Sequence, residues 1–234
     1  AIAALCAGIM LTTFPSQAKE SGNVKINAKN FPDTIVREYV SEKIDKNNDG
    51  YLSKKEISAV KIIIIDKNNL YWENKDKPKE DYEIIDCKGL EIFTNVEKVK
   101  LTTYCDTYVS EYGNIKNIKV LTKLTKIKNL EISGVNNSNY DFTKLNNLER
   151  LCIKSTKLKK LNLSKNVKLK NLKLAYNPLL KKINLTKNKN LEKINLYGSG
   201  VKKITLGKNN KIKNSKTSLN MNFVLIILII FSLR

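Results

Sequence analysis

The sequence predicts an α+β protein in which a small helical cap precedes a solenoid of about five coils built from parallel strands. Three observations carry this. Apolar triplets recur at a fixed period through the second half of the chain. Each period holds a second apolar triplet. Ahead of the repeats, a dense run of oxygen-bearing side chains with one glycine follows a helical pattern.

The repeats are regular. Leu148-x-x-Leu151-x-Ile153 returns as Leu169-x-x-Leu172-x-Leu174 and Leu191-x-x-Ile194-x-Leu196, at spacings of 21 and 22 residues. Ile127-x-x-Leu130-x-Ile132 lies 21 residues upstream, and Val96-x-x-Val99-x-Leu101 reads as an earlier copy. A second set follows 10 or 11 residues after the first: Leu158-x-x-Leu161-x-Leu163, Leu180-x-x-Ile183-x-Leu185 and Val201-x-x-Ile204-x-Leu206. Tyr140 with Phe142, and Ile115-x-x-Ile118-x-Val120, hold the matching places in earlier coils. Alternating apolar positions predict short strands with those residues inward. Eleven-residue half-repeats leave little room for a helix, so the second half of each coil is expected to be strand, turn or tight helical turn. The signature L-x-x-L-x-L-x-x-N-x-L is intact once, from Leu169 through Asn177 to Leu179, with Thr156 and Ser199 replacing the Asn in neighbouring coils. Five coils exceed the roughly three needed to bury a continuous core, so residues 89–207 read as a leucine-rich-repeat solenoid.

The cap is read over 24–62. Pro32 and Asp33 favour a helix start, and Ile35, Val36, Tyr39, Val40 and Ile44 recur at helical spacing. The segment 45–56 then matches a twelve-residue EF-hand calcium loop. Asp45, Asn47, Asp49 and Ser53 place oxygen side chains at positions 1, 3, 5 and 9. Gly50 stands at the sharp turn, Tyr51 offers its carbonyl, and Glu56 closes the cage as a bidentate carboxylate. The expected cofactor is therefore Ca2+. A plainer reading is that Ser53-x-x-Glu56 is a capping box that starts a helix without metal. No second complete loop follows, which suggests a structural clip rather than a cooperative sensor.

The ends are less informative. Residues 1–18 read as a signal-peptide remnant, with small residues at Ser16 and Ala18, or else as a buried N-terminal helix. Residues 63–88 read as an insert or linker, and 208–234 as a basic then apolar tail. The apolar run 223–233 is shorter than the roughly 20 residues of a membrane span. A truncated anchor, a solenoid cap and an artefact of frame all stay open for it, and so does membrane attachment.

Ile26-Asn27-x-x-Asn30-Phe31-Pro32-Asp33, Arg37-Glu38-Tyr39-Val40, the loop 45–56 and Gly89-Leu90-Glu91-Ile92-Phe93-Thr94-Asn95-Val96 together carry a family likeness. Over residues 24–207 the chain resembles the head of secreted leucine-rich-repeat proteins of low-GC Gram-positive bacteria. In that family a dockerin- or EF-hand-like cap precedes internalin-like repeats. The resemblance implies a secreted or cell-surface interaction protein without enzymatic activity. The chain departs from the pattern in inserts at 61–87, which contains Trp72, and 102–114, and in showing no sorting motif.

Charge bears on partners. The net charge is +21, and residues 143–216 hold 21 Lys/Arg against Glu149 and Glu192, a local charge of +19. Outward strand positions place Lys160, Lys182 and Lys203 in a column on the second strand. The first strand offers Arg150, Lys154, Lys173 and Lys193, with Tyr197 nearby. Such a face suits an anionic glycan, a wall polymer or an acidic protein surface. A plainer reading is compositional, because Lys, Asn and Ile together mark an AT-rich coding sequence. Aromatics do not interleave with the lysines, which sets nucleic acid aside. Tyr104, Tyr108 and Tyr112 form an aromatic loop, either a partner-binding element or one that packs on the first coil.

The chain has no histidine, which excludes His-dependent triads and ordinary zinc enzymes. Cys87, Cys105 and Cys152 are odd in number and form no disulfide framework, though a Cys87–Cys105 bridge stays open. The expectation is a monomeric, non-catalytic, exported interaction module. The alternative is an electrostatic binder of anionic polymer or membrane.

Overall fold

The computed structural model describes residues 22–67, 84–103, 105–106, 111–207, 212 and 219–220. The readings placed on 1–18, Trp72, Tyr104, Tyr108 and 223–233 lie outside them.

The cap forms as its sequence pattern directs. Asp33 is the N-cap of the helix Thr34–Lys43, its Oδ1 accepting from Val36 N at 3.0 Å. Pro32 thus precedes the cap. The helix buries Ile35, Val36 and Val40. A second helix, Lys54–Ala59, starts from Ser53. Between them the strand Tyr51–Leu52 pairs antiparallel with Val24–Lys25. A strand from the N-terminal side, rather than a second loop, therefore closes this edge.

The solenoid carries two ladders. Among the described residues the main sheet has seven parallel strands in chain order: Ile62–Asp66, Lys98–Thr102, Asn129–Ser133, Arg150–Lys154, Asn171–Lys173, Lys193–Asn195 and Leu219–Asn220. Repeat periodicity puts the first rung at Lys98–Thr102. The sheet has one more ahead of it, Ile62–Asp66, inside the stretch read as an insert. Ile63 and Ile65 are buried there, while Ile62 and Ile64 are 50% and 40% exposed. The second ladder is made of parallel pairs: Ile84–Asp86 with Asn114–Lys116, Asn139–Asp141 with Lys160–Asn162, and Lys182–Leu185 with Lys203–Leu206. In the early coils 3-10 turns, Leu90–Ile92 and Ile118–Lys123, join the elements. Ile118 and Val120 belong to the second of these turns, the tight helical form among those expected of the second half-coil, because the strand ends at Lys116.

Between the ladders the repeated apolar residues form one core. Val99, Leu101, Leu130, Ile132, Leu151, Ile153, Leu172, Leu174 and Ile194 are all buried, as are Tyr140 and Phe142. In the intact signature, Leu180 rather than Leu179 turns inward; Leu179 is 38% exposed. Asparagines satisfy the carbonyls that the tight turns leave inside. Asn177 Nδ2 donates to Ile153 O at 2.8 Å and Ala175 O at 3.1 Å, and Asn177 Oδ1 accepts from Thr156 Oγ1 at 2.6 Å. Asn166 and Asn188 repeat this in the second half-coils, each donating to two carbonyls of the preceding turn or coil. Buried carbonyls left without donors are costly, so these amides are part of the fold.

The cap closes the open end of the main sheet. Tyr39 OH donates to Ile62 O at 3.3 Å and accepts from Ile64 N at 3.4 Å, satisfying the edge strand. Phe31 stacks on Phe93 with centroids 6.4 Å apart. Gly89 permits that approach. Its φ is 95°, and a Cβ there would sit 2.4 Å from Asn30 O and from the Phe31 ring. No helix among the described residues is long and apolar enough to cross a membrane.

Candidate functional site

Two regions hold the residues singled out from sequence: the loop 45–56 and the outward faces of the ladders.

In the loop, side-chain oxygens bind backbone. Asp45 Oδ2 accepts from Gly50 N at 2.9 Å, Asn47 Oδ1 from Asp49 N at 3.4 Å, and Asp49 Oδ1 from Tyr51 N at 2.8 Å. Glu56 closes the ring. Its Oε1 accepts from Lys46 N at 2.7 Å, and its Oε2 from Ser53 N at 2.9 Å and Ser53 Oγ at 2.8 Å. Ser53 Oγ accepts from Glu56 N at 3.2 Å, completing the capping box. Burial acts to raise the Glu56 carboxyl, but the donors from Ser53, Lys46 and Asn47 together hold it below the ordinary carboxylate range. Gly50 takes φ 77°, the left-handed turn the motif requires at that place.

The loop also has the chemistry of a hard-cation site. Asp45 is 3% exposed and its Oδ1 has no hydrogen-bond partner. A buried carboxylate oxygen without a donor is costly, and a cation would compensate it. Asp45, Asn47, Asp49, Ser53 and Glu56 supply oxygen side chains, and Tyr51 a carbonyl. Among the described residues no three Cys, Asp or Glu side chains converge closely enough to hold a metal alone. A cation here would therefore depend on the amide, hydroxyl and carbonyl oxygens as well.

On the main sheet the outward positions fall into rows. The first reads Ile62, Lys98, Asn129, Arg150, Asn171 and Lys193, so cations stand on alternate strands with asparagine between. The second reads Ile64, Lys100, Glu131, Cys152, Lys173 and Asn195. A groove of about 720 Å³ follows these rows, lined by Lys98, Arg150, Cys152, Lys173 and Lys193 among others. Lys154 pairs with Glu131 at 2.8 Å, and Lys100 with Asp66 at 2.6 Å. Burial pushes the Cys152 thiol up to about 11. Cys87 is a buried free thiol.

The rim before these strands shows a two-coil period that single-coil reading missed. Glu97, Lys128, Glu149, Lys170 and Glu192 alternate in sign. Lys128 lies 2.8 Å from Glu97, and Lys170 lies 2.9 Å from Glu149. Hydrogen bonds from these ammonium groups hold both carboxyls below their ordinary range. Two positions earlier, Lys126 Nζ donates to Asn95 Oδ1 at 2.6 Å, and Lys168 Nζ to Asn147 Oδ1 at 2.7 Å. The signal is legible in the sequence as Asn-x-Glu-Lys/Arg at 95–98, 147–150 and 190–193, alternating with Lys-x-Lys-Asn at 126–129 and 168–171.

On the second ladder Lys182 and Lys203 stand in register. Lys160 pairs with Asn139, and no ladder joins its strand to Lys182–Leu185. Tyr197 meets Tyr176 edge-on, with centroids 5.4 Å apart and the two residues 41% and 52% exposed. Tyr176, with φ 55°, was not singled out from sequence. Tyr112 lies in the strand Glu111–Tyr112, paired antiparallel with Cys105–Asp106.

No family model matches the sequence, and no curated protein matches it. Solved structures do. The chain is similar to an internalin (inlF) from Listeria monocytogenes str. 4b F2365, at 18% identity and a TM-score of 0.60, over 85% of this chain and 57% of that one. It is also matched to an internalin C2 (inlC2) of the same strain, at 14% identity and a TM-score of 0.36, over 88% of this chain and 97% of that one. The functional domain of InlJ from Listeria monocytogenes, which includes a cysteine ladder, aligns at 10% identity and a TM-score of 0.28, over 82% of this chain and 63% of that one. The chain thus spans 57% of the first internalin's length. At such identity the likeness establishes fold: the chain is an internalin-like leucine-rich-repeat solenoid with a small helical cap.

Proposed function

We propose that the chain is an exported, non-catalytic interaction module, clipped at its head by Ca2+, that presents its main sheet to a protein partner. The observation that carries the reading is the outward face of that sheet. Its strands are locked in register, so the side chains on it are held at fixed spacing. Exposed Ile62 and Ile64 supply apolar contact at one end. Lys98, Arg150, Lys173 and Lys193 line the groove beside them. An apolar anchor beside a basic groove suits a protein surface with an acidic rim.

Ca2+ would be held by Asp45, Asn47, Asp49, Ser53, Glu56 and the Tyr51 carbonyl. The ion would bring carboxylates together and fix the turn that joins the two cap helices. The chain's own residues do the rest: the loop strand holds Val24–Lys25, and Tyr39 holds the first rung. Export is supported by the likeness of the head segment to secreted proteins, and suits a calcium-dependent cap.

A photo-crosslinking residue placed at Asn171, on the main sheet, tests the partner face against one at Asn162, on the second ladder. The reading expects a discrete protein adduct from Asn171, suppressed by Arg150→Glu and Lys193→Glu, and none from Asn162. Equal labelling at both positions would contradict it.

A further inference from the structure

We propose that the second ladder is a separate binding surface for a linear anionic polysaccharide, whose chain runs along the solenoid across the lysine doublets Lys159-Lys160, Lys181-Lys182 and Lys202-Lys203. This inference is independent of the main-sheet reading.

The doublets recur at spacings of 22 and 21 residues, in the same place of three successive coils. All six lysines are exposed. Their treatment differs from that of the rim. There, Lys128 and Lys170 each meet a glutamate of the preceding coil. On the second ladder no described acidic side chain pairs with Lys159, Lys160, Lys182, Lys202 or Lys203, and Lys181 donates to the carbonyl of Pro178 at 2.7 Å. Lys182 stands directly beside Lys203. Paired strands lie about 4.8 Å apart, and like charges placed opposite each other destabilise a ladder. A polyanion laid across them would reverse that repulsion.

The neighbouring polar groups point to the same class of ligand. Asn162 Oδ1 accepts from Ser164 N at 3.1 Å, and Asn184 Oδ1 accepts from Thr186 N at 3.0 Å and Thr186 Oγ1 at 2.8 Å. With their oxygens occupied, both exposed amides offer Nδ2 donors beside the lysines. The surface therefore presents ammonium and amide donors, which suit carboxylate or sulfate groups and ring hydroxyls. The strip ends one coil earlier, where Asn139 pairs with Lys160 and Asp141 with Asn162. The doublets succeed one another along the solenoid at strand spacing, about 4.8 Å per paired rung, which lets successive charged units of a linear chain meet successive doublets. Nucleic acid fits less well, because the doublet strands carry no aromatic side chain to stack a base.

The test is binding of the full chain to polygalacturonate, to an oligothymidylate of equal charge and to anionic vesicles, across a salt series. Lys160→Gln/Lys182→Gln/Lys203→Gln should weaken polygalacturonate binding at least tenfold and flatten its salt dependence. Arg150→Gln/Lys173→Gln/Lys193→Gln removes the same charge from the main sheet and should change binding less than twofold. The second-ladder triple to arginine should keep binding, separating loss of charge from loss of fold. Equal losses from both glutamine triples, no binding by the parent chain, or tighter binding to oligothymidylate or vesicles would each overturn the proposal.

Discussion

Asp33 Oδ2 lies 2.7 Å from Lys67 Nζ, with the two side chains 5% and 2% exposed. The same oxygen accepts from Asp86 N at 2.9 Å, while Oδ1 caps the helix Thr34–Lys43. One carboxylate thus joins the cap helix, the end of the first rung and the second ladder. Removing one partner of a buried pair leaves a charge in the interior. Asp33→Ala is expected to destabilise the chain by about 3–5 kcal/mol, and Asp33→Ala/Lys67→Met to recover part of that. Urea denaturation of the two variants checks it.

The Asn177 amide serves two carbonyls and a hydroxyl in a buried turn. Asn177→Ala should cost about 2–4 kcal/mol, because unsatisfied buried groups cost roughly 1–3 kcal/mol each. Asn162→Ala, on an exposed strand, should stay within about 0.5 kcal/mol. The contrast in denaturation midpoints is the readout.

These positions show what sequence could and could not reveal. The inward triplets from Val99 to Ile204 were legible, because a fixed period makes each coil confirm the next. The helix pattern at Ile35, Val36 and Val40 and the capping box at Ser53 and Glu56 were legible as local rules. The first rung was not. Ile62-Ile63-Ile64-Ile65 has no apolar–polar alternation, so nothing in it marks Ile63 and Ile65 as inward and Ile62 and Ile64 as outward. Leu179 and Leu180 are adjacent and chemically alike, and it is the second apolar triplet, Leu180-x-x-Ile183-x-Leu185, rather than the end of the signature at Leu179, that marks the inward one. Asp33 and Lys67 meet only through the tertiary fold. The alternating rim charges were present in the sequence, but a single-coil template averages Glu97 and Glu149 with Lys128 and Lys170.

Cys152 sits half-exposed in the main-sheet groove with its thiol pushed up to about 11 by burial, then by Glu131. Thiolate is the reactive form. Alkylation of native Cys152 should therefore be slow near neutral pH and rise about tenfold per pH unit towards that value. Mass-spectrometric labelling rates across pH check this, with Cys87 protected until unfolding.

Glu56 has its carboxyl held below the ordinary range by loop donors that outweigh burial. A depressed folded-state value stabilises the fold above the unfolded value of about 4.3, and that stabilisation is lost as pH falls through the folded value. Acid unfolding should therefore begin on descent below the ordinary carboxylate range, and Glu56→Gln should flatten that part of the curve. Circular dichroism against pH is the measurement.

The most direct test of the account is thermal melting of the full chain with Ca2+ and with chelator, beside Asp45→Ala and Glu56→Ala. A ligand that binds only the folded state raises the melting temperature with its concentration. The account predicts a rise with Ca2+ in the parent chain that both variants lose. A parent melting temperature indifferent to Ca2+ would contradict the calcium clip and leave the loop 45–56 as a capped turn.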